Sequence, residues 1–341
     1  MICFTWWGLT QYAARAIEAF NKISTEPVVV VATRPKSSPV EGMEKILTCP
    51  LIWVEESDTE VVSRLPEVPR VLFVSNWNLK CFRQIEDAVR ARGGIKVAMI
   101  DTDFSLSLRA ILRAIRFRLK IRSRFDKFFV VGASGSKLLR LYGVSKARIH
   151  QGLYGADASL FKNGLPLQER PKRIIYVGQF IARKNVLRLV EAFKIFHNRH
   201  PDWELEMCGH GVLHNQIPEM PGLIVHDFVQ PEQLADLYRN ARAFVLPSLE
   251  EHWGVVVHEA ALSGCYLLLS RSIGAGADFA TKENSAKFNP VSVDSMVESF
   301  EQLAALNDTD IVSAQMTSLA KAGRFGISRF VDSVQMLVSN E

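Results

Sequence analysis

The sequence predicts an α/β protein of two domains, each built around a parallel β-sheet. Three observations lead there. The chain has 341 residues, too many for one ordinary core and about right for two domains of ~150 residues. Hydrophobic residues make up 48 % and charged residues 23 %, which excludes a disordered or collagen-like chain. Short apolar runs alternate with helix-period segments from end to end, the pattern of βαβ units whose strands are covered on both faces.

In order, the expected strands are Ile2–Trp6, Val28–Ala32, Val71–Val74, Lys96–Ile100, Phe128–Val131, Ile174–Val177, Glu204–Cys208, Leu223–His226, Ala243–Leu246 and Tyr266–Leu269. Amphipathic segments such as Gln11–Asn21, Asn185–Asn198 and Glu232–Asn240 separate them. The polar stretch Asn163–Lys172 carries two prolines and reads as a linker. It divides an N-terminal domain, 1–165, from a C-terminal domain, 166–341, whose last helix is free to pack back on the first. Open parallel sheets bind ligands outside the carboxyl ends of their strands. Functional residues are therefore expected on strand-to-helix loops, and a ligand in the cleft between two facing sheets.

Other classes drop out. No apolar run approaches the ~18 residues that would span a bilayer. The opening segment lacks a basic n-region and a small-residue cleavage site, so no signal peptide is expected. The five cysteines (Cys3, Cys49, Cys81, Cys208, Cys265) are scattered without a Cys-x-x-Cys, which argues against a disulfide framework or a zinc site. A cytoplasmic protein is expected. Residues 1–165 carry a net charge of +10 and residues 166–341 a net −5. The first half faces something anionic, a membrane surface or a phosphorylated substrate, or the two solvated surfaces simply differ.

The strongest motif is Leu246–Gly264 (LPSLEEHWGVVVHEAALSG). A strand enters a turn holding Glu251, and Gly254 opens a helix that carries Glu259. Backbone N–H groups near Gly254, Val255 and Val256 would form an anion-binding helix start. Glu259 can accept from vicinal hydroxyls such as those of a ribose, and Glu251 can reach a second polyhydroxylated group. Glu250 competes with Glu251 for that role, and both acids are equally readable as caps of a surface helix. The second motif is Tyr176–Phe193 (YVGQFIARKNVLRLVEAF). Here a strand ends at Gly178, with Arg183 and Lys184 just before the next helix. Two cations at a helix N-terminus oppose its dipole unless an anion lies there too. A diphosphate resolves the conflict; an exposed charged cap is the plainer alternative.

Together these segments resemble the retaining glycosyltransferases of family 4, which have the GT-B fold of two Rossmann-like parallel-sheet domains facing a central cleft. The resemblance runs through about Arg173–Phe288. Its core is the Glu-x7-Glu pattern at Glu251 and Glu259, with Gly209–Gly211 (GHG), Phe228–Tyr238 and Gly152–Phe161 in the family's order. It implies that Glu259 binds the nucleotide ribose, that Glu251 contacts the donor sugar and that Lys184 meets the diphosphate. The family's arginine position is Gln179 here, so Arg183 is assigned its role. Glu251–Gly254 (EHWG) puts His252 and Trp253 beside the sugar site. His210, in the Gly209 loop, is a further residue near the donor.

The first half matches less closely. Its first loop has one glycine, Gly8, which would bring backbone N–H groups near the donor phosphates. Trp6 or Trp7 stacks on a sugar or packs in the core. No histidine precedes His150, so Asp101 or Asp103 is expected on the acceptor side, with helix capping by Asp103 the alternative. Residues 104–125 carry Arg109, Arg113, Arg116, Arg118, Lys120, Arg122 and Arg124 and no acid. On a helix, Leu108, Ile111, Leu112, Ile115 and Leu119 form an apolar stripe beside a basic one. Such an element suits an anionic leaflet, at ~1 kcal/mol per cation near the surface, or packs on its sheet with solvated arginines. No aromatic platform interleaves with the arginines, so nucleic acid is not expected.

The eight histidines are not expected to form a metal site. His210 and His214 have helical spacing, but Gly209 and Gly211 indicate a loop, and the resemblance implies metal-independent chemistry. The implied activity is transfer of a sugar from a nucleotide diphosphate donor, UDP or GDP, to a saccharide or lipid-linked hydroxyl. It would serve bacterial surface polysaccharide or lipopolysaccharide synthesis, without a cofactor, in the cytoplasm or peripherally on the inner face of the plasma membrane. A nucleotide-sugar epimerase of the same fold, or a non-catalytic binding protein, is the rival reading.

Overall fold

The computed structural model describes residues 1–35, 43–101 and 114–339. The chain divides into two compact units, Met1–Gly155 with Phe325–Glu341, and Ala156–Arg324. In the first unit the strands are β1 (Ile2–Trp6), β2 (Val28–Ala32), β3 (Leu51–Trp53), β4 (Val71–Val74), β5 (Ile95–Ile100), β6 (Lys127–Val130) and β7 (Ile149–Gln151). They form one parallel sheet in the order β3-β2-β1-β4-β5-β6-β7. The second unit holds β8 (Arg173–Val177), β9 (Glu204–Cys208), β10 (Leu223–His226), β11 (Ala243–Leu246), β12 (Tyr266–Ser270) and β13 (Ser285–Phe288). Their order is β10-β9-β8-β11-β12-β13, again parallel.

Helices α1 (Gln11–Asn21), α2 (Lys80–Ala91) and α3 (Ala133–Leu141) belong to the first unit. Helices α4 (Val186–His197), α5 (Pro231–Asn240), α6 (Val255–Leu262), α7 (Val293–Ala304) and α8 (Asp308–Ala322) belong to the second. Helix α9 (Ile327–Val338) returns to the first unit. There Phe330 lies 6.1 Å from Phe4 and 5.7 Å from Phe129, ring centre to ring centre. Phe4 in turn stacks on Phe73 at 4.5 Å. Each such ring, wholly withdrawn from water, contributes about 2–3 kcal/mol. That burial fixes α9 in the first unit.

Central strands β1, β2, β4 and β11 are buried along their whole length, as helices on both faces of a parallel sheet require. In each sheet the order reverses once, between β1 and β4 and between β8 and β11. These reversals open a crevice at the carboxyl ends of the flanking strands, where ligands of such sheets bind.

Two sequence expectations change. Asn163–Lys172 is packed within the second unit: Leu167 is fully buried and its N–H donates to Gln315 Oε1 at 2.8 Å. Arg170 is buried there too, and donates to the carbonyls of Leu165, Ala241 and Ser263 at 2.9, 3.0 and 2.8 Å. Its guanidinium thus meets the last carbonyls of both α5 and α6, satisfying groups that a helix end leaves open.

Second, the basic segment is not one solvated stripe. Asp103, Arg109 and Arg113, with Leu108, Ile111 and Leu112, lie outside the described residues. Beyond them Phe117–Ile121 forms a π-turn, closed by Arg122 N–H on the Phe117 carbonyl at 2.9 Å. The extra residue per turn rotates the pattern. Phe117 and Ile121 are buried, while Ile115 and Leu119 face outward. Phe117 supplies the reason, since its ring meets Phe128 at 5.7 Å and Tyr142 at 5.3 Å. Arg124 leaves the stripe altogether and pairs with the buried carboxylate of Glu86. All five cysteines are buried free thiols. No helix among the described residues is long and apolar enough to cross a membrane.

Candidate active site

The loops after β8 and β11 flank the order reversal of the second sheet, and they hold most of the residues that the sequence singles out. After β8 the chain passes through Gly178 and Gln179 to a single 3-10 turn, Ala182–Lys184. Asn185 then takes a left-handed conformation (φ 61°), the sole non-glycine with positive φ among the described residues. Its side chain explains the strain: Nδ2 donates to the Pro247 carbonyl at 3.1 Å and the Pro290 carbonyl at 2.7 Å, and Oδ1 accepts from Arg188. Leu249 N–H donates to the Arg183 carbonyl at 2.9 Å. The β8 and β11 loops are thereby held together by both backbone and side chain.

That clamp brings Arg183, Lys184 and Glu251 into one cluster. Lys184 Nζ donates to Glu251 Oε2, and Arg183 Nη1 lies 3.4 Å from the same oxygen and 2.7 Å from the Glu250 carbonyl. Ser248 Oγ donates to the same oxygen at 3.4 Å. Lys184 and Glu251 are mostly withdrawn from water, whereas Arg183 stays largely exposed. Of the two adjacent acids it is Glu251 whose carboxylate meets the cations. Glu250 takes part through its backbone.

Gly254 follows, at φ +86°. A β-carbon there would stand 3.2 Å from Glu251 Cγ, so both the turn and the carboxylate's place favour glycine. Helix α6 begins at Val255, and Val255 and Val256 place their N–H groups in its first turn. Glu259 sits about one turn further in. Tyr238, on α5, donates its hydroxyl to Glu259 Oε2 at 3.2 Å. Burial pushes the Glu259 carboxyl up to about 7, against the lowering effect of the Tyr238 hydrogen bond. Next to it, His258 is fully buried: Nδ1 accepts from Ala156 N–H at 2.9 Å and Nε2 donates to the Ala322 carbonyl at 3.0 Å. Burial pushes its imidazole down to about 4, so the ring is neutral near pH 7.

Other expected residues fall elsewhere. Trp253, expected beside the sugar, is 2 % exposed; its indole donates to Asp278 at 3.0 Å and packs against Phe279. It supports the loop from beneath and offers no face to a ligand. His252 is exposed. Gln179 uses its backbone carbonyl, which accepts from Tyr176. Gly209 and His210 lie on the loop after β9, the strand next to β8.

Gly8 and Asp101 belong to the first unit, each on a loop at the carboxyl end of its strand. Trp7 is half exposed and Trp6 buried. Trp7 N–H donates to Ser75 Oγ and Gly8 N–H to Thr33 Oγ1, both at 2.8 Å. Asp101 is exposed. Sequence reasoning missed Asn185, Tyr238, Ser248 and His258 as supports of the site. Of these only Tyr238 carried a signal, as the last residue of a segment in family order.

Comparison with known proteins adds the family. Residues 157–321 match the model of "Glycosyl transferases group 1", a range that fills almost all of the second unit. Over these residues the second unit is similar to group 1 glycosyl transferases. A curated relative, an uncharacterized glycosyltransferase of Methanocaldococcus jannaschii, is 26 % identical over 121 residues. The match takes in 33 % of this chain and 30 % of that protein, so the chain aligns with less than a third of its relative's length.

Whole-chain likeness comes from solved structures. A glycosyltransferase from Rickettsia africae has a TM-score of 0.75 at 11 % identity, covering 100 % of this chain and 99 % of that one. The Anabaena protein HepE, solved in complex with UDP, has a TM-score of 0.77 at 12 % identity and 100 % coverage of both chains. At such identities the likeness establishes the two-sheet GT-B fold. Within the second unit, the Glu251–Lys184–Arg183 cluster and Glu259 are the residues placed at the sheet's order reversal.

Proposed function

We propose that this protein is a retaining glycosyltransferase that moves a sugar from a nucleoside diphosphate donor to an acceptor hydroxyl. The observation that carries the reading is the meeting of Lys184, Arg183 and Glu251 at the order reversal of the second sheet, with the α6 N-terminus and Glu259 beside it. Breaking the sugar–phosphate bond leaves negative charge on the diphosphate, which two cations and a helix start stabilise without reorganisation. In the free protein Glu251 neutralises those cations. A diphosphate takes its place, and the released carboxylate can then accept from sugar hydroxyls. The acceptor attacks the face from which the diphosphate departs. No metal enters this scheme.

UDP is the first donor nucleotide to test, because HepE structures hold UDP and UDP-glucose; GDP is the second. Glu259 is the ribose ligand in this reading. Glu259→Ala should weaken nucleoside diphosphate binding about 10- to 100-fold, the loss of a charge-assisted hydrogen bond of ~1.5–3 kcal/mol. Because ribose hydroxyls favour the ionised carboxylate, wild-type affinity should rise with pH up to about 7 and then level. Calorimetric titration of wild type and variant from pH 5.5 to 8 checks both. Unchanged affinity in a folded variant refutes the ribose role.

The acceptor is a saccharide or lipid-linked saccharide of a surface-polysaccharide pathway, reached from an anionic membrane. This finer reading is supported by the exposed pair Ile115 and Leu119 alongside exposed Arg116 and Lys120. Reversing Arg116 and Lys120 to Glu should reduce pelleting with anionic vesicles several-fold at low salt and leave neutral vesicles unaffected. Equal pelleting of the two proteins would remove the membrane from the scheme.

A further inference from the structure

Strands β9 and β10 are parallel neighbours with Cys208 opposite His226, so the loops that leave their carboxyl ends lie side by side. Three side chains converge there that neither the core nor the proposed sugar transfer requires. His210 Nδ1 lies 3.1 Å from Asp227 Oδ1, and His214 Nδ1 lies 3.8 Å from the same oxygen. One ligand atom from each of the three falls within 4.8 Å of the others. The His214 Nδ1 atom is buried and has no hydrogen-bond partner, so its lone pair has lost water without a replacement.

The scaffold behind this trio is rigid. His214 stacks on Phe180 at 5.6 Å, and Phe180 is fully buried. Phe180 N–H donates to the His210 carbonyl and Leu213 N–H to the Phe180 carbonyl, both at 2.9 Å. Gly211 permits that approach, since a β-carbon there would stand 2.4 Å from the Phe180 oxygen. The His214 ring is therefore positioned by Phe180 and the backbone around it.

We propose that His210, His214 and Asp227 bind one divalent transition-metal ion of the zinc class. Ligands placed tetrahedrally at about 2.1 Å from zinc stand roughly 3.4 Å from one another. The two nitrogen–oxygen separations, 3.1 and 3.8 Å, bracket that value. Two imidazoles and one carboxylate suit zinc, cobalt or nickel. They supply too few oxygens for calcium or magnesium. Both histidines ligate through Nδ1 and keep their protons on Nε2. Three protein ligands leave coordination positions for water or an anionic group, and His210 and Asp227 lie at the surface where such groups have access. No step of the sugar transfer passes through the ion. Its effect is to join the β9 and β10 loops.

Titration with zinc by calorimetry, and with cobalt by visible absorption, tests the site in the full chain. The buried cysteines keep thiolates out of a native titration. Wild type should bind one ion per chain and gain thermal stability with added zinc. His214→Ala and Asp227→Asn should each weaken binding at least 10-fold and abolish the thermal gain. His200→Ala, a histidine paired with Glu301, should bind like wild type. Far-ultraviolet circular dichroism verifies that the variants are folded. Absence of binding in wild type, or equal binding by folded His214→Ala and Asp227→Asn, overturns the proposal, whatever becomes of the donor assignment.

Discussion

Lys184→Ala will lower turnover of a nucleoside diphosphate sugar by roughly 10²–10³-fold, the effect of deleting one preorganised charge donor at a developing anion. Arg183→Ala will cost less, because its guanidinium is largely exposed and shares its work with the Glu250 carbonyl. Gln179→Ala will cost least, since the contact at that position runs through the backbone carbonyl. Nucleoside diphosphate release with a panel of nucleotide sugars and acceptors measures the ranking. Melting curves show whether each variant keeps its fold. A critical Gln179 beside dispensable Lys184 and Arg183 would place the diphosphate elsewhere. Product formed without an acceptor would favour the epimerase alternative.

The second large effect belongs to stability. His258→Ala removes a ring that accepts from Ala156 N–H, donates to the Ala322 carbonyl and stacks on Phe279 at 4.9 Å and 7°. A buried N–H left unsatisfied costs about 1–3 kcal/mol, and the cavity adds a loss on the order of 2 kcal/mol. The melting temperature should fall by roughly 10 °C. The difference should also depend on pH. His258 resists protonation down to about 4 in the folded state, whereas an unfolded histidine takes up its proton near pH ~6.5. The unfolded chain therefore binds more protons between these values, and the stability due to His258 is complete above about pH 6.5 and drains away toward pH 4. Wild type and variant should converge as the pH is lowered from 7.5 to 5. Equal melting temperatures at pH 7.5 would show that the ring bears no load.

The interior of both sheets was legible in the sequence because buried parallel strands are continuous apolar runs. Val28–Ala32 and Ala243–Leu246 have the bounds that their hydrophobicity suggests. The edge strands β3, β7 and β13 were not, since Leu51–Trp53 and Ile149–Gln151 are three residues each and half exposed, while β13 alternates burial with a surface lysine. Short edges carry too little pattern to register. The placement of Glu251, Lys184 and Glu259 beside the strand-to-helix turns is legible because charge at such a turn is conspicuous. Trp253 reads as a sugar neighbour because its neighbours in sequence face the loop, whereas its own ring turns into the core. His258 depends on a partner far away in the chain, and Asn163–Lys172 reads as a linker because its polarity conceals a buried Arg170.

Arg170 also shapes the field that an approaching anion meets. A helix carries about half a positive charge at its N-terminus and half a negative charge at its C-terminus. At that second pole of α6, the guanidinium of Arg170 donates to the Ser263 carbonyl. For a short helix of eight residues, only about 12 Å long, the distant pole would otherwise subtract much of the near one. With the far pole neutralised, α6 acts toward its N-terminal end less like a dipole and more like a single partial charge. The attraction then decays with distance more slowly, until mobile ions extinguish it at about 8 Å in physiological salt.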